Sequence, residues 1–380
     1  MTRNFIICIF LISIIVACSR KQNDYPIHPV SFTEVSITDS FWHSRQETNR
    51  MATIPFAFNK CRETGRIRNF EMAGAKKGGK FCTGCVFDDS DVFKIIEGAS
   101  YSLSVHPDKA LEQYLDSLIS CIGAAQEPDG YLYTARTIDP EHPHPGAGKT
   151  RWSEEMLSSH ETYNAGHMYE AAVAHFQATG KRTFLDIAIK NADLMCNTFG
   201  HDKLVSVPGH QEIEIGLVKL YRVTGQQKYL DLAKFFLDAR GTMTYEWDHS
   251  QHWNSPRNRQ NDKPIRQQHE AYGHAVRATY MYSGMADVAA LTGDTSYNRM
   301  IRTIWANVVN TKLYITGGIG AQPTAEEYGD NYKLPNDTAY NETCAAIANI
   351  LWNYRMFLLS GSSEHFDIIE RCLLYTSRCV

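Results

Sequence analysis

Strand-like alternation of apolar and polar residues is scarce in this 380-residue chain, which excludes the sandwiches and barrels built from sheets. Apolar runs long enough to cross a bilayer as a helix are missing too: Phe5 to Ala17 stops well short of the roughly 20 residues required. Nor is there an excess of either charge. With 38 basic and 42 acidic residues, a net charge of −4 and scattered basic positions, nucleic acid is excluded as an expected partner. The ten cysteines form no legible disulfide framework, being far apart and mostly in apolar helical contexts. Cys82-Thr83-Gly84-Cys85 has redox or zinc spacing, but without a second pair or a histidine cluster it reads as a loop with incidental cysteines.

What is present begins with a leader. Met1 to Asn4 is a short basic start and the apolar run follows it, the pattern of an export signal. The run ends Ile15-Val16-Ala17-Cys18-Ser19, which resembles a bacterial lipobox. Residues 1–17 are therefore expected to be a lipoprotein signal peptide, Cys18 the lipidation site, and residues 18–30 a polar tether to the bacterial cell envelope. A simple secretory signal with an incidental cysteine is the alternative.

From about Asp108 helical periodicity dominates. Leu111, Leu115, Leu118, Ile119 and Ile122 share one face, and similar stripes recur in Ala171–Phe176, Ile213–Val223, Ala275–Leu291 and Ile347–Leu358. Thr179-Gly180, Thr224-Gly225 and Thr292-Gly293 each end an apolar stretch, with Phe184, Tyr229 or Tyr297 opening the next. Glycine there predicts left-handed C-caps. This repeated punctuation predicts stacked helical hairpins, closed or open, in an all-α fold. Three histidines, His160, His210 and His274, precede or start these helices. If the helices share a polarity, the three converge at one end, where they could grip one ligand together. His167 sits deeper in its helix and is a weaker fourth. Asp88, Asp89 and Asp91 read as helix-start carboxylates, and Pro128-Asp129-Gly130-Tyr131 as a turn.

The most reactive stretch is Gly317 to Leu359. A glycine-rich loop leads through Glu326 and Glu327, turns at Leu334-Pro335-Asn336-Asp337 and enters an apolar helix at Asn341-Glu342-Thr343-Cys344. Residues two apart on a helix diverge by about 200°. Glu342 and Cys344 can thus share a metal only if Glu342 is still extended while Cys344 is in the first turn, with Asn341 available as N-cap. The helix start would favour a thiolate at Cys344; a buried small side chain is the other reading of that cysteine.

The run LPNDTAYNETCA, with a glutamate 16 residues before the Glu of E-T-C, resembles the signature of the β-L-arabinofuranosidase family, glycoside hydrolase family 127 and its relatives. Further stretches similar to it are TIPFAFNKCRETGRIRNF, FDDSDVFKIIEGASYSL, AAQEPDGYLYT and DKPIRQQHEAYGHAVRATYMYSGMAD. The resemblance implies an (α/α)6 toroid over residues 31–371, followed in the family by β-sandwich domains. It implies Glu326 as general acid/base, and Glu342 and Cys344 as two ligands of a zinc ion. Two adjacent cysteines nearer the C-terminus complete that site, one of them the nucleophile. His160, His210 and His274 would hold the hydroxyls of a terminal L-arabinofuranose on a plant-type glycan.

Two features depart from the pattern. Phe56-Ala57-Phe58 stands where many members carry a polar sugar contact, and the 380 residues contain no adjacent cysteine pair. The closing CLLYTSRCV is unlike the family, so residues 372–380 are expected to be a non-native tail on a truncated, inactive product. The rival readings are another toroidal carbohydrate enzyme that needs no metal and a non-catalytic glycan-binding lipoprotein.

Overall fold

A computed structural model describes residues 23–243 and 252–376. The leader and Cys18 lie outside the described residues. Among those described, the helices are α1 Ser40–Thr48, α2 Ile54–Glu63, α3 Arg66–Ala75, α4 Asp89–Val105, α5 Lys109–Ala125, α6 Thr134–Thr137 and α7 Glu161–Thr179. They continue as α8 Thr183–Thr198, α9 Ile213–Thr224, α10 Gln227–Ala239, α11 Ala275–Thr292, α12 Thr295–Thr311, α13 Thr343–Ser360 and α14 Ser363–Arg371. No strand is present among the described residues, only isolated bridges.

The helices pair into six hairpins: α2–α3, α4–α5, α7–α8, α9–α10, α11–α12 and α13–α14. Successive first members pack on one another, as do α3, α5, α8 and α10 of the second set. This is the (α/α)6 toroid, with an inner and an outer ring. The sequence of each ring reflects its surroundings. Every residue of α11 from Ala275 to Leu291 is buried, as an inner helix walled on all sides requires, whereas outer α12 buries only the stripe Tyr297, Met300, Ile301, Ile304 and Val308. The aromatics expected to open the outer helices, Phe184, Tyr229 and Tyr297, are fully buried between the rings.

The punctuation is structural. Gly180, Gly225 and Gly293 are left-handed C-caps, each donating its N–H to the carbonyl four residues back, and Gly361 repeats the device on α13. Inner helices consequently end together at one side of the toroid and begin together at the other. The side where they end is closed by the N-terminal segment. Tyr25, 5% exposed, donates its hydroxyl to Asp287 at 2.7 Å, which also takes the Arg355 Nε–H at 2.7 Å. Asp24 pairs with Arg222, and the Ile27 N–H bonds the Leu358 carbonyl. The expected free tether therefore ends before Asp24, because Tyr25 finds buried partners more than 260 residues away.

The expected foreign tail also starts inside the fold. Cys372 is fully buried, with its sulfur 3.1 Å from the Gly317 carbonyl and 3.5 Å from Asn349 Nδ2.

Candidate active site

At the open side, the starts of the inner helices bring together residues far apart in sequence. His160 immediately precedes α7 in a left-handed conformation, φ 57°. His210 lies just ahead of α9, and His274 is the N-cap of α11, its ring accepting the Arg277 N–H. Their rings form a row, with centroids 5.8 Å apart for His160–His210 and 5.4 Å for His210–His274. The Tyr163 ring sits 4.5 Å from that of His210, and the exposed Trp253 lies 5.8 Å from that of His274.

All three imidazoles are neutral. Burial, and next to it the Arg277 guanidinium, pulls His160 down to about 3, His274 to about 4 and His210 far below its usual range. Backbone contacts then fix the tautomers. Nδ1 of His160 lies 2.8 Å from the Ser158 carbonyl and Nδ1 of His210 lies 2.9 Å from the Gln211 carbonyl, so each donates there and keeps Nε2 as an acceptor. In His274, Nδ1 is the acceptor and Nε2–H is the donor.

That donor meets Glu326. His274 Nε2 is 3.0 Å from Oε2 of Glu326, while the Tyr340 hydroxyl donates to Oε1 at 2.7 Å. The Glu326 backbone is held in the left-handed region, φ 56°, directly after Ala325 at φ 56°. Two such residues in succession are costly and need outside support. Asn258 supplies it, donating to the Ala325 carbonyl and to the Glu327 carboxylate.

Glu342 is the N-cap of α13, with extended φ −59° and ψ 140°, and Cys344 falls in the first turn. The condition for their convergence is met, with Glu342 rather than Asn341 as cap. Asn341 instead takes a left-handed turn, φ 43°. The Glu342 carboxyl reaches both the Cys344 thiol and the Glu326 carboxyl. Glu326, Glu342, Cys344 and the three histidines thus occupy one mouth.

The electrostatics hold the Glu326 carboxyl low, and the thiolate expected at Cys344 is not found. Burial alone would raise Glu326, but hydrogen bonds from His274 and Tyr340, with Arg277 behind them, hold its carboxyl below the ordinary range. Cys344 is not a thiolate: desolvation in the concave mouth and then the adjacent Glu342 push the thiol up to about 12, outweighing the helix start and Lys94. The donor set, one carboxylate and one thiol that deprotonates only with help, suits half of a soft-metal site. Among the described residues the three-donor cluster is another one, His167, Glu170 and Glu212.

Other sequence readings resolve as follows. Asp89 accepts from the Thr134 N–H and hydroxyl, while Asp88 and Asp91 hold Arg66, so the acidic run is architectural. Asp129 caps the turn at Tyr131. Cys82 and Cys85 are free and exposed. Phe58 is buried against Tyr114 and Phe56 is exposed, so neither supplies a polar contact. Missed from sequence were Tyr340, although it lies inside the NDTAYNETC run, Trp253, Arg277, Tyr163 and Lys94. The last donates to the Tyr163 hydroxyl at 3.0 Å.

The catalytic-domain profile of the GH127 β-L-arabinofuranosidases matches residues 34–377. The chain belongs to that family. It is 34% identical over 370 residues to a non-reducing end β-L-arabinofuranosidase of Bifidobacterium longum subsp. longum, covering 89% of this chain and 56% of that protein. Among solved structures it is similar to a GH127 β-arabinofuranosidase at 55% identity and TM-score 0.88, over 93% of this chain and 55% of the other. It also resembles a GH127 β-L-arabinofuranosidase from Geobacillus stearothermophilus T6 at 40% identity and TM-score 0.84, over 90% and 56%. The chain spans just over half the length of these relatives.

Proposed function

We propose that the open mouth binds a terminal β-L-arabinofuranosyl unit of a plant-type glycan and serves a retaining hydrolase. The observation that carries this is the meeting of Glu326, the Glu342–Cys344 pair and the histidine row at one end of the toroid. Acceptor Nε2 atoms on His160 and His210 suit sugar hydroxyls, and Trp253 offers a face for the ring. Glu326 rests as a carboxylate, the form that activates water. To act first as general acid at the departing oxygen it must take up a proton when the sugar displaces water.

Glu342 and Cys344 would hold a zinc ion, which when bound lowers the pKa of thiol ligands and keeps them as thiolates. The nucleophile belongs to the adjacent cysteine pair that the family resemblance places downstream of these residues. An aryl β-L-arabinofuranoside tests the reading. A chain extended through that pair releases L-arabinose and the 380-residue chain does not; no release by the first, or equal release by both, contradicts it. We also propose lipidation at Cys18 and a place in the bacterial envelope; Cys18→Ala should then shift the protein from the membrane to the soluble fraction.

A further inference from the structure

We propose that His167, Glu170 and Glu212 form a second site, for a divalent cation, on the toroid axis beneath the histidine row. The site is independent of the glycosidase reading. His167 and Glu170 stand one turn apart on inner helix α7, and Glu212 caps inner helix α9. Nδ1 of His167 lies 3.5 Å from Oε1 of Glu212 and 3.8 Å from Oε2 of Glu170. The three donor atoms all fall within 4.8 Å of one another.

One observation points to a missing ligand, and a second holds the carboxylate in place for it. First, His167 is 4% exposed and neither of its ring nitrogens has a hydrogen-bond partner, while Glu212 is fully buried with the Glu170 carboxyl as the group that faces its own. Buried polar groups left this way are costly, and the three here converge on one point. Second, the place of the Glu212 carboxylate is kept by sequence: a Cβ at Gly166 would lie 1.6 Å from Oε2 of Glu212 and 2.7 Å from the Ile213 backbone. A side chain at 166 would evict the carboxylate.

The charges agree. Lys219 holds Glu97 at 3.2 Å and the far oxygen of Glu170 at 2.5 Å. Lys94 is engaged one layer above, with Tyr163 and Ser90. Glu97, Glu170 and Glu212 therefore share one ammonium; burial and then the Glu170 carboxylate push the Glu212 carboxyl well above its ordinary range, so it holds a proton that a bound divalent ion would displace. One imidazole with two carboxylates suits Zn²⁺ or Mn²⁺ and its close analogue Co²⁺. The ion would pin α7 to the start of α9 under Tyr163, whose ring is 4.6 Å from that of His167 and 4.5 Å from that of His210.

The test removes the sulfur half-site first. The 380-residue chain carrying Glu342→Gln and Cys344→Ser is refolded with Co²⁺ or Zn²⁺, desalted, and assayed for bound metal, visible absorption and melting temperature. The expected result is about one ion per chain, cobalt bands without sulfur charge transfer, and a melting temperature that rises with added Zn²⁺. Adding Glu212→Gln should abolish all three while helical circular dichroism persists. Should that variant not fold, His167→Phe, which keeps the ring, is read the same way. No retained ion, or an ion that stays after Glu212→Gln and His167→Phe, would overturn the proposal.

Discussion

The two ends of the toroid are built from the same helices and treat polar groups in opposite ways. At the closed end the inner helices stop at glycine caps, and charges are matched one to one: Tyr25 and Arg355 on Asp287, Arg222 on Asp24. At the open end non-glycine residues, among them His160, Gln260, Ala325, Glu326 and Asn341, stand in left-handed backbone. There Cys344 is exposed beside two carboxyls, and neutral imidazoles present free nitrogens. Full pairing serves stability, whereas strain and free valence are tolerated where a ligand will complete the set.

Substitutions should therefore separate the ends, beginning with the strongest. In the chain extended through a cysteine pair, Glu326→Gln should slow turnover by about 10²–10⁴-fold with sugar affinity and melting temperature nearly unchanged; a parallel loss of folding would erase the contrast. At the closed end Asp287→Ala leaves a buried guanidinium unpaired and should cost about 3–5 kcal/mol, read by denaturant unfolding, with sugar binding at the mouth retained. His210→Ala should weaken sugar binding by about 1–2 kcal/mol in calorimetric titration and move stability little.

The mildest change is Asp89→Asn, whose amide oxygen still accepts the Thr134 N–H while its NH2 donates to the Thr134 hydroxyl, reversing that bond. Burial raises the Asp89 carboxyl to about 7 in the folded state, with the Thr134 hydrogen bonds opposing. Its contribution is thus fully present below about pH 4 and is lost as pH rises towards 7. The Asn variant should melt a few degrees above the parent at neutral pH, and the gap should close on acidification; a gap that widens instead would reverse the sign.

Much of this was legible because it is periodic or local. The Thr-Gly caps give the hairpins, and three histidines at equivalent helix starts give the mouth once the helices share a polarity. The two-residue spacing of Glu342 and Cys344 states the backbone condition that α13 meets. What was not legible depends on partners distant in sequence. Asp24 to Val30 read as tether from local polarity, yet Tyr25 is anchored by Asp287 and Arg355. The protonation states of Glu326 and Cys344 turned on His274, Tyr340 and burial in a concave mouth, none of which a helix-start argument contains. His167 ranked as a lesser sugar contact, but a place one helical turn inside α7 puts it in the layer beneath the wall, facing Glu212.

The central claim is that one mouth gathers the acid/base, the half-site and the imidazole row around a single sugar. Crystals of the chain soaked in an L-arabinofuranoside test it most directly. The account predicts the sugar ring against Trp253, its hydroxyls on Nε2 of His160 and His210, and its glycosidic oxygen beside Glu326. A sugar seated at the Tyr25 end, or one that contacts the histidines but lies beyond reach of Glu326, would contradict it.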